Sequence, residues 1–180
     1  MLNFFENLPE TNYPFVHKRI FLRLQDNFHQ VAFGEIQQDT SKLRTYAILK
    51  REAGFENYLN DIKNVSDRIL VSKFRLSNHR LMIEVGRHEK IPIPREQRFC
   101  PFCPGAVEDE LHFTFSCPTY KHLRIAYLDN FFTLIPHLRF LPHDAKFHAL
   151  FSNPNTESCK FIASSMELRQ FLTSNPKSND

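Results

Sequence analysis

The chain has 180 residues and a formal net charge of +3, which suits one domain or a domain with an appended module. Hydrophobic residues make up 42% of it, and 19 Phe and 5 Tyr supply core material for several packed helices without any Trp. The first ten residues carry acids and a proline where a signal peptide has a basic and then an apolar stretch. No apolar run approaches the ~20 residues of a membrane span, so we expect a soluble protein with no membrane partner.

The predicted secondary structure is helical almost throughout. Apolar residues at spacings of three and four predict a first helix that begins near Pro14 and ends near Gly34. Ser41 is the predicted cap of a second helix, which stops before Gly54, and a short helical turn follows around Tyr58.

Two further helices are predicted before position 87. Ser66 is the expected cap of a helix that carries Leu70 and Phe74, and a short helix closes at Gly86 by the usual C-terminal glycine. Residues 87–98 contain two prolines in alternate positions and are predicted to form an extended linker.

A compact group of metal-ligand residues follows, with the spacing C-x2-C-x8-H-x4-C. Its members are Cys100, Cys103, His112 and Cys117. Cys3His is a standard tetrahedral set for structural Zn²⁺, and a two-residue gap lets one tight turn present two thiolates to the same ion. Pro101 and Gly105 suit such a turn. The motif therefore predicts a zinc site, with a minor β-hairpin at the paired cysteines.

The second half of the motif requires a helix that stops. Acids at positions 108–110 favour a helix N-terminus, and His112 follows inside that helix. On a continuous helix His112 and Cys117 would point about 140° apart and could not share one ion. Pro118 disfavours helical geometry at the preceding residue, so we expect Cys117 to lie at or beyond the helix end.

Two other interpretations of the cysteines are open. They could be small buried hydrophobes that share a window by chance, or Cys100 and Cys103 could form a disulfide. No feature of the chain indicates secretion, and thiolate zinc chemistry favours a reducing, intracellular compartment, the nucleus or the cytoplasm. The fourth cysteine, Cys159, is predicted to be an ordinary buried thiol.

After the motif the pattern is helical again. An apolar stripe runs from Tyr120 to Phe131, Pro136 and Pro142 divide the chain after that stripe into short pieces, and a last helix spans 161–172. The predicted fold is mainly α, with short helices around a small Cys3His module. The expected segments are an N-terminal helical segment over residues 1–40, a basic helical region and linker over 41–96, a zinc-binding module over 97–125, C-terminal helices over 126–172 and a disordered tail over 173–180.

Positive charge is concentrated before the zinc motif. From Arg68 to Arg98 there are eight Lys or Arg and three Glu, an excess of +5. Such a segment beside a metal module suits a polyanionic partner. The same charges would also fit a solvated helix face followed by a charged linker.

The sequence offers no catalytic constellation. Four ligands would close the zinc shell, whereas a catalytic zinc keeps one position open. Phe99 stands where zinc deaminases have a proline, and phosphate-loop and H-E-x-x-H motifs are missing. We therefore expect a protein that is not an enzyme.

The central stretch resembles a known family. Segments 72–81 (S-K-F-R-L-S-N-H-R-L) and 83–87 (I-E-V-G-R), with 98–120 around the motif, are similar to the zinc-binding region that follows the reverse transcriptase domain in non-LTR, LINE-type retrotransposon polyproteins. The resemblance covers roughly residues 41 to 127. It implies the same four zinc ligands and a basic helical region that helps to hold RNA or DNA. It implies no catalysis, because the polymerase and endonuclease domains of such polyproteins are absent from this chain.

Two functional hypotheses follow from these patterns. In the first, a non-enzymatic Zn²⁺ module binds RNA or single-stranded DNA mainly through phosphates. The candidate contact residues are Arg75, His79, Arg80, Arg87, Arg95 and Arg98, and Phe99 or Phe102 would either stack on unpaired bases or pack against the cysteine turn. In the second, zinc staples a structural or protein-interaction domain and the basic stretch is inert.

Overall fold

A computed structural model of the chain describes residues 13–36, 42–50 and 54–175. Across these ranges the fold is mainly α-helical, as predicted, and contains no β-strand. An isolated antiparallel bridge joins Phe99 and Val107, at the paired cysteines where a small hairpin is predicted. The contacts divide the chain into two compact units, Met1–Ser41 and Lys42–Asp180.

The α-helices of the described ranges are α1 (Tyr13–Ile36), α2 (Arg44–Leu49), α3 (Tyr58–Asp61), α4 (Val65–Arg75), α5 (Met82–Val85), α6 (Lys121–Tyr127), α7 (Asp129–Leu134), α8 (His143–Phe151) and α9 (Thr156–Ser174). Shorter 3-10 turns occur at Arg95–Gln97, Pro118–Tyr120 and Pro136–Phe140, and a π-helical turn occurs at His112–Ser116.

Helix α1 is the only described element of the first unit. It continues two residues past Gly34, where the sequence pattern predicts its end. Its apolar stripe matches the predicted spacing, but the members Ile20, Leu24, Phe28 and Val31 are between 55% and 71% exposed. The stripe is therefore a helical pattern that does not mark a buried face.

Several predicted element ends differ from the observed ones. Helix α4 is capped by Asn64 rather than Ser66, because the Asn64 side chain accepts from the N–H groups of Ser66 at 2.8 Å and Asp67 at 3.2 Å. The predicted stripe after the zinc motif is divided between α6 and α7. Helix α9 includes Thr173 and Ser174, which the predicted disordered tail contains. The predicted cap Ser41 and residues 176–180 lie outside the described residues.

The core of the second unit is aromatic, as the Phe-rich composition predicts. Phe113 lies at its centre, with ring centroids 4.7 Å from Tyr120, 5.8 Å from Phe74 and 5.8 Å from Phe161. Phe147 and Phe151 of α8 complete the cluster at 4.7 Å from each other. These rings come from α4, α8, α9 and the zinc-motif segment, so burial of one core positions the motif against three helices.

Gly86 ends α5, but not as a left-handed cap. Its backbone is right-handed, with φ −63° and ψ −18°. A Cβ at this position would lie 2.9 Å from Cγ of Arg98. The glycine is needed because the stem of Arg98 passes directly over it, so the predicted C-terminal glycine has a different physical reason.

Candidate metal centre

The structure brings the four predicted ligands together. The ligand atoms of Cys100, Cys103, His112 and Cys117 all lie within 4.8 Å of one another. The Cys117 sulfur is 4.0 Å from that of Cys100 and 3.6 Å from that of Cys103. The four residues can therefore hold one metal ion.

These distances fit a tetrahedral ion. With metal–sulfur bonds of about 2.3 Å, a tetrahedral site requires sulfurs about 3.8 Å apart. The two measured separations, 3.6 and 4.0 Å, lie on either side of that value. The Nε2 atom of His112 is buried and has no hydrogen-bond partner, as expected of an atom that would coordinate a metal. The disulfide alternative for Cys100 and Cys103 is not observed, because all four cysteines are free.

A tight turn presents the first two cysteines. The Cys103 N–H donates to the Cys100 carbonyl at 3.3 Å, and the Cys100 N–H donates to the Ala106 carbonyl at 2.7 Å. Gly105 adopts φ +75°, which glycine accepts without steric cost. The turn therefore folds back on itself and brings both sulfurs to the ligand group, with Cys100 buried and Cys103 half-buried.

A π-helical turn presents the other two ligands. The Asp109 carboxylate accepts from the His112 N–H at 2.8 Å, which starts the turn, and the Cys117 N–H donates to the His112 carbonyl at 2.8 Å. Cys117 itself has extended geometry with ψ 119°, ahead of Pro118. The predicted stop at Cys117 is confirmed. The wider π turn is an additional feature that brings residues five apart toward the same side.

The three thiols differ in acidity. The hydrogen bond from Cys100 lowers the pKa of Cys117 to about 3. The same hydrogen bond and, second to it, burial raise the pKa of Cys100. Burial is the main cause that raises the pKa of Cys103. Since metals bind thiolates, a divalent ion that binds here would displace the protons these thiols share.

Arg124 is a neighbour of the site that sequence reasoning missed. Its Nη2 donates to the Cys117 carbonyl at 2.6 Å, and its Nη1 is buried without a hydrogen-bond partner. Burial lowers the pKa of Arg124, while the charge of Cys117 opposes that effect. A Zn²⁺ ion with three thiolates carries a net charge of −1, which this guanidinium would offset. The sequence did not predict this contact between Cys117 and Arg124, because they are seven positions apart and a 3-10 turn lies between them.

Glu108 is a buried acid. The sequence places it at a helix N-terminus, but in the structure it binds other helices through its side chain. Its side chain is fully buried and accepts two hydrogen bonds from Arg169 of α9, both at 2.7 Å. It also accepts from the Met82 N–H at 2.6 Å. Because one carboxylate binds both α5 and α9, the segment between the cysteine turn and His112 is held to two helices.

Glu110 has a similar role on the other side. It accepts from Ser77 at 2.9 Å, contacts Nε2 of His79 at 2.8 Å and pairs with Arg44 of α2. Burial acts to raise the pKa of Glu110, but the His79 hydrogen bond and the charges of His79 and Arg44 lower it to about 2. Ser77 and His79 therefore anchor the metal-binding segment, the residues from Cys100 to Cys117 that carry the four ligands.

Three of the predicted nucleic-acid contacts need correction, because they are used inside the protein. Arg75 is 1% exposed, donates to the Phe151 carbonyl and pairs with Glu56 at 2.6 Å. Arg98 is 9% exposed and donates to the carbonyls of Ile83 and Ile93. The His79 side chain is 5% exposed and bound to Glu110. In this conformation all three side chains are bound to partners inside the protein.

The other predicted contacts are at the surface. Arg80 and Arg95 are exposed, and Arg87 is partly exposed and 3.7 Å from a buried oxygen of Glu84. Of the two aromatic candidates, Phe99 is 45% exposed, whereas Phe102 packs against the core with its ring 6.3 Å from Tyr120.

The fourth cysteine lies in the core and outside the metal group. Cys159 is 1% exposed and packs within α9, as predicted for an ordinary buried thiol. Burial raises its pKa to about 11.

Comparisons with known proteins were negative. No protein-family model matches the chain, and neither the curated proteins nor the solved structures include a significant match. Among the residues that the structure describes, no helix is both long and apolar enough to cross a membrane.

Proposed function

We propose that this chain is a non-enzymatic zinc module that binds RNA or single-stranded DNA mainly through phosphates. Zinc is the ion that best suits three thiolates and one imidazole in a tetrahedral arrangement. Four protein ligands leave no position for a substrate, which supports a structural rather than a catalytic ion.

The observation that carries the nucleic-acid proposal is the division of the basic residues between interior and surface. Within 73–98, the buried Arg75 and Arg98 have internal acceptors, and the buried Glu84 is paired with Arg44. The surface of the same segment keeps five basic residues and two acidic ones, an excess of +3. The basic residues are Lys73, Arg80, Arg87, Lys90 and Arg95, and the acids are Glu89 and Glu96.

This surface charge has few internal partners. Lys73, Arg80, Lys90 and Arg95 form no ion pair with any residue in the described ranges. The exposed ring of Phe99 lies four residues after Arg95, where it can stack on an unpaired base. Unpaired cations and an exposed aromatic ring in one segment suit a single strand, whose phosphates and bases are both accessible.

The test is a salt series with a labelled single-stranded RNA, measured by fluorescence anisotropy. Charge reversal of Arg80, Arg87 and Arg95 to Glu should abolish binding at moderate salt. If three phosphate contacts are lost, the slope of log Kd against log salt should fall by about 2. A variant with Lys63, Lys121 and Lys160 changed to Glu is the matched control, because it has the same net charge and alters exposed lysines elsewhere.

The two triple variants distinguish an effect of these particular arginines from an effect of net charge. The control should retain most of the wild-type affinity and its salt slope. Equal losses in both variants would show that only net charge matters, and no binding by the wild-type protein at low salt would refute the proposal.

A zinc-stapled protein-interaction domain is the second candidate. Several large apolar side chains of the second unit are exposed, among them Phe140 at 88% and Ile91 at 83%. In that case the Arg-to-Glu variant would bind RNA as weakly as the wild type does. The zinc requirement for stability would be unchanged.

We also infer that the chain derives from the C-terminal region of a non-LTR retrotransposon reverse transcriptase. The sequence resemblance across residues 72–120 supports this origin. The coding sequence immediately upstream tests it: an in-frame or decayed reverse transcriptase is expected, and an unrelated sequence there would contradict it.

A further inference from the structure

A cavity of about 440 Å³ lies between α4 and α9, away from the metal ligands. It is partly open to solvent, and its volume falls within the ~300–1,000 Å³ typical of ligand pockets. Its floor is apolar and includes Phe74, Ile162 and Met166. A floor of this kind suits a flat aromatic ring.

The rim of this pocket is cationic. Lys73 and Arg80 line it and form no ion pair with described residues, whereas the lining Arg169 is neutralised by Glu108. No acidic side chain lines the described wall. Lys73 and Arg80 therefore supply two uncompensated positive charges at the mouth of an apolar cavity, which suits an anionic group attached to a ring.

The rim also offers polar groups that can read the edge of a ring. Asn78 and Gln170 line the pocket, and both are exposed residues with amide side chains. An amide provides donors and an acceptor together, as the edge of a nucleobase requires. These features together favour a base with a phosphate over a simple anion or a simple hydrophobe.

The backbone holds the two cations in a fixed relation. Lys73 lies in the last turn of α4, and the Asn78 N–H donates back to its carbonyl at 2.7 Å. Ser77 has left-handed backbone geometry, φ 53°, and its hydroxyl binds Glu110 at 2.9 Å. The loop that leads to Arg80 is therefore anchored to the metal-binding segment, so little ordering is needed when a ligand binds.

We propose that this pocket binds a single unpaired nucleotide, with the base on the apolar floor and the phosphate between Lys73 and Arg80. The inference rests on the proposed nucleic-acid function and assigns one position of the strand to a defined site. It adds a base-binding pocket to a surface whose other proposed contacts are with phosphates and with the exposed ring of Phe99.

Methionine methyl NMR gives a direct test. The chain has three methionines, of which Met166 lines the pocket and Met82 belongs to α5. With ¹³C-methyl methionine, AMP or UMP should shift the Met166 signal and leave that of Met82 in place. Inorganic phosphate should not reproduce the Met166 shift, and if it does, the base-binding half of the proposal is wrong.

Two surface variants test the rim. Lys73→Ala and Arg80→Ala change exposed side chains, and each should weaken AMP binding about tenfold or more through loss of a charge-assisted hydrogen bond. Arg95→Ala, an exposed arginine outside the pocket, should leave the AMP affinity unchanged. Equal AMP affinities for all three variants and the wild type would overturn the proposal.

The same proteins distinguish failure of the pocket from failure of the proposed function. If a short single-stranded RNA binds while Met166 does not move, the pocket proposal falls and the nucleic-acid function stands. If AMP shifts Met166 but no RNA binds, the pocket is a mononucleotide site and the nucleic-acid proposal falls. If neither ligand binds, both are refuted.

Discussion

The backbone N–H of Cys117 donates to the carbonyl of His112 at 2.8 Å, one residue further back than in an α-helix. This bond makes the turn between two metal ligands π-helical. The two ligands are five positions apart and yet lie on the same side of the turn, which a regular α-helix does not allow. The irregularity and the metal site thus require each other, because a regular turn would direct Cys117 away from the other three ligands.

Metal removal should therefore unfold this region. A chelator such as EDTA should lower the melting temperature strongly, since structural zinc sites contribute about 10–16 kcal/mol of apparent binding free energy. Native mass spectrometry should find one Zn²⁺ per chain before treatment.

Cysteine variants provide the matched control for metal removal. Cys103→Ser should lose the metal and melt as the chelated protein does, whereas Cys159→Ser should keep it, because Cys159 lies outside the ligand group. Identical melting with and without the chelator would contradict a structural metal.

The four ligands were predictable because the signal is local. Residue type, spacing and the proline after Cys117 lie within about eighteen positions and constrain the same turn. The helices α4 and α9 were predictable for the same reason, since the apolar periodicity of a helix is a property of consecutive residues.

The roles of the basic and acidic residues were not predictable in this way. Glu108 and Arg169 are 61 positions apart, and Arg75 and the Phe151 carbonyl are 76 apart. Residue type alone does not distinguish a buried, paired charge from an exposed one, because the partner of a buried charge depends on the tertiary fold. The charge of Arg75 and Arg98 thus suggests a phosphate contact from sequence, although both side chains are used inside the core.

Breaking the Glu108–Arg169 ion pair should be costly. Arg169→Met leaves a fully buried carboxylate unpaired and should destabilise the fold by about 3–5 kcal/mol. The double variant Arg169→Met with Glu108→Gln should recover some of that loss, as measured by urea unfolding.

The exposed pair Glu157–Lys160 is the control for the buried pair. Lys160→Met should leave the free energy of unfolding almost unchanged, because a solvated ion pair contributes little. If Arg169→Met were equally mild, the buried pair would not hold α9 to the metal-binding segment.

Ser77 combines a strained backbone with a favourable hydrogen bond. Ser77→Ala removes the bond to Glu110 and keeps the left-handed φ of 53°, so it should destabilise by about 1–3 kcal/mol. Ser77→Gly also loses the bond but relieves the backbone strain, so it should be milder by about 1 kcal/mol. Urea unfolding measures both variants, and a glycine variant less stable than the alanine variant would contradict the backbone strain at Ser77.

Alkaline pH should weaken the fold partly through Tyr46. Burial and a hydrogen bond to Glu56 at 2.9 Å raise the pKa of Tyr46 from 10.0 to about 12. The unfolded state therefore loses this proton first, and the contribution of Tyr46 to stability, complete below pH 10, is lost as the pH rises toward 12. The free energy of unfolding should fall more steeply over that interval in the wild type than in Tyr46→Phe. A tyrosinate absorbance difference between the two proteins that titrates near pH 10 would contradict the raised pKa.

Gly86 should not tolerate a methyl group. A Cβ there would lie 2.9 Å from Cγ of Arg98, whose guanidinium is held by the carbonyls of Ile83 and Ile93 and cannot easily move away. Gly86→Ala should therefore destabilise by about 1–3 kcal/mol through overpacking. The control is Gly34→Ala in α1, where nothing lies within 4 Å of the added carbon and helix propensity should improve by about 1 kcal/mol. Urea unfolding tests the first variant and helical circular dichroism the second; a Gly86→Ala protein as stable as the wild type would show that Arg98 can shift.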